Sequence, residues 1–216
     1  MTGRLSGRVA LITGTAGGQG RSAALLFAAQ GAVVVGCDVS VEAAAQTAAL
    51  VTRAGGTMHS TQPVDLTDEA AVAAWVDAAA QRYGRVDLLY ANAAATRFAP
   101  LEDITYDEWS FVLRHELDVV FLPVKHAWPH LKRSGSAAVV LVGSTAGLTG
   151  SLTNGRAAHT VTKGGVIALT RQLAAEGAAH GIRVNCVSPG MVRTPATEAD
   201  LLAEGAPMRS IAAHIP

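Results

Sequence analysis

The sequence has few cysteines, no excess charge and no long apolar run, and each shortage excludes a class of protein. Only 2 cysteines occur among 216 residues, too few for a small domain held together by a disulfide framework. Cys37 and Cys186 follow strands that we predict to lie far apart in one sheet, so we expect unpaired structural thiols. Lysine plus arginine and aspartate plus glutamate each total 17, for a formal net charge of +0. No basic run is available to neutralise nucleic acid or an anionic lipid surface, and we predict neither partner.

The apolar segments are too short for a membrane protein. Residues 1–7 read MTGRLSG and lack the apolar core of a signal peptide, and no uninterrupted apolar stretch approaches the roughly 20 residues that span a bilayer. These features predict a cytoplasmic protein without a membrane partner. The 7 histidines show no metal-ligand spacing, so we predict no metal site. His115, His126 and His130 follow helical spacing, which favours a subunit contact or a solvated face.

What the chain does contain is apolar material in a regular alternation. Half of the residues are hydrophobic, enough for one core, and we predict a single domain over residues 1–216. Short β-branched runs alternate with longer alanine- and leucine-rich stretches, as in β-α-β units. We predict strands near residues 8–13, 32–37, 57–62, 86–91, 137–143 and 182–187. We predict helices near residues 18–30, 41–54, 68–83, 105–132 and 157–179. Candidate helix N-caps are Ser40, Thr67 and Thr105.

This pattern predicts an α/β fold, a three-layer, doubly wound parallel sheet of the Rossmann-like type. Right-handed crossovers bring all strand carboxyl ends to one edge of such a sheet, where ligands bind near the reversal of strand order. The stretch 191–216 is rich in proline and glycine and has no clear strand, although a short helix is possible near residues 198–204. We expect it to be a flap over the ligand edge or a truncated tail.

A glycine-rich turn follows the first predicted strand and leads straight into the first predicted helix. Residues 13–20 read TGTAGGQG. Glycines in this position permit a tight turn and let the backbone approach a pyrophosphate, which the positive end of the helix dipole stabilises. The flanking strand and helix match the dinucleotide-binding fingerprint, so we predict a dinucleotide site here.

An acidic residue ends the second predicted strand. Asp38 follows VVVGC, and a carboxylate there accepts hydrogen bonds from the adenosine ribose and repels a 2′-phosphate. No arginine or lysine immediately follows it. The cofactor is therefore predicted to be NAD rather than NADP. A structural alternative is that Asp38 caps the next helix, but Ser40 is available for that role.

Several ordered motifs over residues 7–194 resemble the short-chain dehydrogenase/reductase family. They are TGxxxGxG over residues 13–20, Asp65-Leu66, Asn92-Ala93-Ala94, Ser144, Lys163-Gly164-Gly165, and Ser188-Pro189-Gly190 with Thr194. The resemblance implies hydride transfer at a nicotinamide. It also implies a cofactor site that comprises Gly14, Gly18, Gln19, Gly20, Asp38, Asp65, Leu66, Asn92, Ala93, Lys163, Pro189, Gly190, Val192 and Thr194.

Two positions depart from the family pattern in chemical type. Family members carry a catalytic tyrosine four residues before the lysine, and counting back from Lys163 gives His159. All 3 tyrosines of the chain precede this segment. The helix that offers an asparagine in the family reads ELDVVF over residues 116–121, so Glu116 stands at the asparagine position.

We predict that the altered site still catalyses oxidoreduction. Imidazole carries a proton near neutrality, so it is able to replace the tyrosine as acid and base. In this hypothesis Ser144 binds the substrate oxygen, His159 relays the proton, Lys163 holds the nicotinamide ribose and Glu116 orients the histidine or balances charge. Two alternatives stay open at this point. One is an NAD-binding scaffold without redox turnover, and the other is a lyase or dehydratase that uses the same cavity.

Substrate and assembly are only outlined by the sequence. Ala94, Ala95, Thr149, Leu152 and Met191 are expected to line a largely apolar substrate pocket, which points to a small apolar or cyclic alcohol or ketone. The long helices near residues 105–132 and 157–179 present wide apolar surfaces rich in small residues. In the resembled family such helices pair across a two-fold axis, so we expect a homodimer or homotetramer.

Overall fold

A computed structural model describes residues 3–152 and 155–200 of the chain. Six strands form one parallel sheet in the order β3-β2-β1-β4-β5-β6. They are β1 (Val9–Thr13), β2 (Val33–Cys37), β3 (Thr57–Thr61), β4 (Leu88–Ala91), β5 (Ala138–Val142) and β6 (Arg183–Val187). Consecutive strands run outward from β1 in one direction and from β4 in the other. The strand order therefore reverses between β1 and β4, and the carboxyl ends there leave a crevice.

Helices cover both faces of the sheet. They are α1 (Gly18–Ala29), α2 (Val41–Arg53), α3 (Glu69–Tyr83), α4 (Tyr106–Leu113), α5 (Val119–Ser134), α6 (Ala157–Ala178) and α7 (Pro195–Asp200), with a π-helix at Arg114–Asp118 and a 3₁₀ turn at Thr145–Gly147. One core layer packs α3, α5 and α6 on the sheet, and the other packs α1 and α2 on the opposite face. Leu11 belongs to the first layer and Ile12 to the second, because neighbouring side chains in a strand point to opposite faces. The predicted three-layer, doubly wound parallel α/β fold is confirmed.

Strand and helix positions agree with the sequence-based prediction, with one real exception. The helix expected over residues 105–132 is divided by the π-helix Arg114–Asp118. A π-helical turn adds a residue to the helical repeat, and such turns cluster at functional sites. Apolar periodicity continues across it, so the sequence pattern did not reveal the interruption.

Two of the three predicted N-cap residues stand at the N-cap position, and one of them makes capping hydrogen bonds. Thr105 caps α4 in a reciprocal capping box with Glu108. At α3 the cap is Asp68, whose carboxylate accepts from Ala70 N and Ala71 N, so the prediction of Thr67 was wrong by one residue. Ser40 stands at the N-cap position of α2 but its side chain makes no capping hydrogen bond.

A buried carboxylate ties the strands together at the edge opposite the crevice. Asp87 precedes β4, is fully buried, and binds Arg8 at 3.1 Å and Arg85 at 2.6 Å. Its Oδ2 atom accepts from Val9 N at 2.9 Å, and Ser134 donates to its Oδ1 atom at 2.7 Å. Burial by itself raises the pKa of the Asp87 carboxyl, but these hydrogen bonds outweigh burial and lower the pKa to about 2.

The last predicted segment is described only in part. Residues 195–200 form α7, slightly before the helix expected near residues 198–204, and residues 201–216 lie outside the described part. Both cysteines are unpaired. Within 3–152 and 155–200, no helix combines the length and apolarity that a membrane crossing requires.

Candidate active site

A cavity of about 1090 Å³ opens at the carboxyl ends of the strands. It is larger than the roughly 300–1,000 Å³ of common small-molecule pockets. Sixteen of the predicted site residues line it: Gly14, Gly18, Gln19, Asp38, Asp65, Leu66, Asn92, Ala93, Glu116, Ser144, His159, Lys163, Pro189, Gly190, Val192 and Thr194. Gly20 is the exception, because it is buried beneath the turn. The topology thus brings residues from eight separate segments to one wall of the molecule.

The glycine-rich turn leaves the start of α1 open to the cavity. Gly17 is the N-cap residue of α1, no side chain caps this end, and no acidic residue stands in the first turn. A Cβ atom on Gly17 would meet nothing within 4 Å, whereas one on Gly20 would lie 2.0 Å from the Gly14 carbonyl oxygen. Gly20 therefore lets the helix pack on the turn, and Gly17 leaves room for an anion at the positive helix end.

Asp38 faces the turn from the end of β2. Its Oδ2 atom accepts from Ala16 N at 2.8 Å and its Oδ1 atom accepts from Ser40 N at 2.9 Å. The carboxylate is half-buried and lines the cavity. The Ser40 side chain makes no capping hydrogen bond at α2. The availability of Ser40 therefore does not argue against the alternative in which Asp38 caps this helix.

Thr13 is a site residue that the sequence reasoning did not assign. Its fully buried hydroxyl accepts from Asn92 N at 2.9 Å and from Ala93 N at 3.0 Å. The Asn92 side chain in turn donates to Thr13 O at 3.2 Å. These bonds join the ends of β1 and β4 at the reversal of strand order. A threonine that ends a wholly apolar strand was the available signal.

Two loops complete the cavity on either side. Asp65 accepts from the backbone and side chain of Thr67, both at 2.8 Å, and these bonds lower the pKa of the Asp65 carboxyl. On the other side Pro189 O accepts from Thr145 N at 3.0 Å. The methyl group of Thr194 lies 3.2 Å from where a Cβ of Gly18 would be, so this loop reaches the glycine-rich turn.

Glu116 and His159 of the cavity wall form a largely buried cluster with Thr162. Nδ1 of His159 lies 2.8 Å from Oε1 and 2.9 Å from Oε2 of Glu116. The Thr162 hydroxyl donates to Oε2 of Glu116 at 2.5 Å. The Glu116 side chain is 2% exposed and that of His159 is 14% exposed. Because the carboxylate engages Nδ1, Nε2 is the nitrogen of His159 left for the cavity.

Lys163 stands on the other side of the same carboxylate. Its Nζ atom lies 3.8 Å from Oε1 of Glu116 and donates to Val142 O at 3.2 Å. Burial lowers the pKa of Lys163 below its ordinary value, and the carboxylate of Glu116 is the main opposing influence. Glu116 thus touches both cationic candidates of the site.

Ser144 lies two residues beyond the end of β5, at the N-cap position of the 3₁₀ turn. Its Oγ atom accepts from Ala146 N at 3.0 Å at the start of the 3₁₀ turn. Because the oxygen is the acceptor, this contact fixes the side-chain rotamer and leaves the hydroxyl hydrogen to point elsewhere. Ser144, His159 and Lys163 all line the cavity.

The substrate end of the cavity differs from the sequence-based expectation in two residues. Ala94, Ala95 and Met191 line the cavity as predicted. Leu152 is fully exposed and Thr149 does not line the cavity, although Ser151 between them does.

Several further residues that were not predicted also line the cavity. The ring of Phe98 meets that of His159 edge-on, with centroids 5.5 Å apart. Arg156 also lines the cavity, as does His115, whose ring stacks on Phe111 at 3.8 Å. The assignment of His115 to a subunit contact or solvated face is therefore wrong. Helical spacing alone did not distinguish these positions.

The remaining predicted histidines lie away from the cavity. His126 contacts Glu69 at 3.2 Å and His130 contacts Asp77 at 3.4 Å. In the part of the chain that the structure describes, no group of three or more histidine, cysteine, aspartate or glutamate side chains is arranged to hold a metal ion.

Comparison with known proteins identifies the family. The family model described as short chain dehydrogenase matches residues 8–204. The chain belongs to the short-chain dehydrogenase family. The matched range includes the glycine-rich turn, Asn92, Ser144 and Lys163, as well as Glu116 and His159.

Named relatives of this short-chain dehydrogenase are reductases and dehydrogenases. It is 41% identical over 189 residues to cis-4-hydroxycyclohexanecarboxylate dehydrogenase of Sinomonas cyclohexanicum, covering 87% of this chain and 74% of that protein. It is 36% identical over 197 residues to a 3-oxoacyl-[acyl-carrier-protein] reductase of Thermotoga maritima, covering 90% and 78%. The crystal structure of carveol dehydrogenase from Mycobacterium avium in complex with NAD superposes with a TM-score of 0.83 at 34% identity, covering 87% and 72%.

Proposed function

We propose that this protein is an NAD-dependent oxidoreductase that transfers hydride between the nicotinamide and a small apolar or cyclic alcohol or ketone, with His159 as the proton relay. The observation that carries the proposal is the contact of His159 with the buried carboxylate of Glu116 at 2.8 Å. It occurs in the cavity that Ser144 and Lys163 also line. A histidine oriented by a buried carboxylate is a recurrent acid-base device in enzymes.

The residues of the cavity fit a dinucleotide. The uncapped start of α1 and the open space at Gly17 suit a diphosphate, and Asp38 stands where the adenosine ribose would bind. Asp65 and Leu66 would flank the adenine, while Pro189, Gly190, Val192 and Thr194 would surround the carboxamide. The family neighbour carveol dehydrogenase contains NAD, which supports NAD as the cofactor.

The side chains supply what proton transfer requires. Bound NAD provides the hydride acceptor for alcohol oxidation. The Ser144 hydroxyl donates to the substrate oxygen, and Nε2 of neutral His159 takes the hydroxyl proton as hydride leaves carbon. The Glu116 carboxylate keeps the proton of His159 on Nδ1 and stabilises the imidazolium that results. In ketone reduction the same imidazolium returns the proton to the oxygen.

Lys163 and Glu116 balance charge around this transfer. The ammonium of Lys163 would hold the nicotinamide ribose and, alone, would oppose a second positive charge on His159. Glu116 lies 3.8 Å from Lys163 and 2.8 Å from His159. Its single negative charge therefore offsets whichever neighbour is cationic, which lets His159 change protonation state in a buried site.

The substrate class follows from the lining at the other end. Ala94, Ala95, Phe98 and Met191 provide an apolar wall beside His159. The relative of Sinomonas cyclohexanicum and carveol dehydrogenase have names that denote cyclic alcohols. Both facts support a compact ring or short apolar chain as substrate.

We also propose a homodimer or homotetramer, formed through α5 and α6. Phe121 on α5 and Val161 on α6 are 48% and 49% exposed in the single chain, and large exposed apolar side chains are typical of contact surfaces. Light scattering on the purified protein tests the assembly. A monomeric mass at micromolar concentration contradicts it.

The function is tested by NAD titration and a panel of alcohols and ketones, applied to the wild type and His159→Ala. We expect kcat to fall about a hundredfold or more, as for loss of a general acid-base, while the Kd for NAD stays within threefold. Unchanged turnover in His159→Ala contradicts the role of His159. NAD binding without redox change over the panel supports a scaffold instead, and product without net nicotinamide change supports a lyase or dehydratase.

A double variant provides the matched control. His159→Tyr with Glu116→Asn restores the residue types of the family pattern at both departures. If the scaffold is intact, this variant turns over the same substrates. Activity in the double variant combined with inactivity of the wild type would identify the native relay as the defective part.

A further inference from the structure

One charged side chain in the cavity has no part in the proposed mechanism. Arg156 lines the cavity together with His159 and is the N-cap residue of α6. It precedes His159 by three positions, slightly less than one turn of helix. An arginine in the cavity, close in sequence to the proposed proton relay, calls for a function.

The hydrogen bonds of Arg156 leave part of its guanidinium unused. Nη2 donates to Thr149 O at 3.0 Å and to Gly150 O at 2.8 Å. The Nε atom is buried and has no hydrogen-bond partner. Across residues 3–152 and 155–200 no carboxylate forms an ion pair with Arg156. Nη2 is engaged by the two carbonyl groups and Nε is inaccessible, and no bond to Nη1 is formed among the described residues. Nη1 is therefore the nitrogen left to donate to an anion such as a carboxylate.

The electrostatics at this end of the cavity favour an anion. Glu116 is engaged by His159, Thr162 and Lys163. Asp38 and Asp65 follow β2 and β3, on the far side of the strand-order reversal. The first turn of α6 has no acidic residue and no side-chain cap, so the positive end of a 22-residue helix adds to the charge of Arg156.

We infer that Arg156 binds a carboxylate on the substrate, so that the preferred substrate is a cyclic or apolar alcohol or ketone that also carries an acid group. The inference rests on the proposed function, because it assigns the far end of the same substrate. When Arg156 binds the acid group of the substrate and Phe98 contacts its apolar body, the reacting oxygen of the substrate lies at Ser144 and His159. Arg156 is then a specificity-determining residue.

Binding of two unreactive probes tests this inference. Cyclohexanecarboxylate and cyclohexanecarboxamide have nearly the same shape and differ in charge. Calorimetry with NAD-saturated protein measures both affinities for the wild type, Arg156→Gln, Arg156→Lys and the control Arg171→Gln, which removes an exposed arginine from the same helix. We expect the wild type and the control to prefer the carboxylate by about tenfold or more. Arg156→Gln should lose this preference through weaker carboxylate binding alone, and Arg156→Lys should keep part of it.

Three results would overturn the inference. They are equal or undetectable binding of the two probes to the wild type, a preference that persists in Arg156→Gln, and an equal loss of both probes in Arg156→Gln. The last would give Arg156 a purely structural role in holding Thr149 and Gly150. Turnover is a separate measurement: an Arg156-dependent carboxylate preference in a protein without redox activity would refute the proposed function and uphold this inference.

Discussion

Oε1 of Glu116 lies 2.8 Å from Nδ1 of His159, although the residues are 43 positions apart in the chain. Glu116 is carried by the π-helix between α4 and α5, and His159 by the first turn of α6. The two residues that differ from the pattern of the resembled family therefore contact each other. A substitution at either position alone would leave a buried polar group without its partner, so the two act as a pair.

Removal of the Glu116 charge should stop proton transfer through His159, even when the shape of the side chain at position 116 is preserved. In Glu116→Gln the amide is able to donate to Nδ1, which places the proton of neutral His159 on Nε2 and removes the base. We expect kcat to fall about a hundredfold with little change in the Kd for NAD. Steady-state kinetics and NAD titration measure the two effects. Normal turnover in Glu116→Gln would mean that the carboxylate does not set the tautomer.

Thr162 should act as a positioning residue for Glu116. Thr162→Val keeps the shape but removes the hydroxyl that donates to the buried carboxylate, and we expect a loss of about 1–3 kcal/mol in the free energy of unfolding. kcat should fall while KM changes little. Thr162→Ser restores the donor and should recover both quantities. Chemical denaturation and kinetics on the three proteins provide the comparison, and a serine variant as impaired as valine would contradict it.

Asp38 should determine the preference for NAD over NADP. Asp38→Asn removes the charge that repels a 2′-phosphate, so kcat/KM with NADP relative to NAD should rise about tenfold or more. Asp65→Asn is the matched control, since that carboxylate is bound by Thr67, and its ratio should move less than threefold. An unaltered ratio in Asp38→Asn would assign cofactor choice to other residues.

Two alanine substitutions in the glycine-rich turn should have opposite consequences. Gly17→Ala adds a methyl group in open space at the start of α1, so we expect normal stability but about tenfold weaker NAD binding, because the backbone must approach the diphosphate. Gly20→Ala places a Cβ 2.0 Å from Gly14 O and should lower the free energy of unfolding by about 1–3 kcal/mol. Thermal denaturation and NAD titration separate them. Equal effects of the two substitutions on NAD binding would argue against a diphosphate at Gly17.

Acid should weaken the fold through Asp87. Its folded-state pKa of about 2 lies below the ordinary value of 3.8, so its contribution is present above pH 3.8 and is lost as the pH falls towards 2. Asp87→Asn should lower the free energy of unfolding by roughly 2–3 kcal/mol at neutral pH, less than for a fully buried pair because Arg8 and Arg85 are partly exposed. Urea denaturation should show this difference shrinking with acid. Asp77→Asn, at an exposed position, should have no such dependence.

The sheet was predictable because β1, β2 and β5 are short apolar runs, rich in β-branched residues, between turn residues. VALIT in β1 is buried at every position, and VVVGC in β2 at all but the first, as expected for a sheet covered on both faces. The carboxyl ends of parallel strands meet at one edge, so the positions of Asp38, Asn92 and Ser144 at that edge followed from the strand assignment alone.

Contacts between distant helices were not predictable in the same way. Nothing in the pattern of residues 105–132 reveals the π-helix that turns Glu116 inward, because apolar spacing changes little when one residue is inserted in a turn. Thr162 is recognisable as a site residue only from its bond to Glu116, which is remote in sequence. Arg156 is recognisable only from its bonds to the carbonyl groups of Thr149 and Gly150 in a loop. The same limit applies to Thr149 and Leu152 in the loop after the 3₁₀ turn, where Ser151 rather than either of these residues lines the cavity.

Arg156, His159, Thr162 and Lys163 all fall at the start of α6, within about 10 Å along one axis at 1.5 Å per residue. One helix therefore carries all four side chains in their proposed roles: Arg156 binds the acid group, His159 is the base, Thr162 positions Glu116 and Lys163 contacts the ribose. If α6 shifts or tilts as a rigid body, all four residues move together and the distances between them stay the same. New specificities could thus be engineered by exchanging the beginning of one helix between homologous scaffolds, without rebuilding the sheet beneath it.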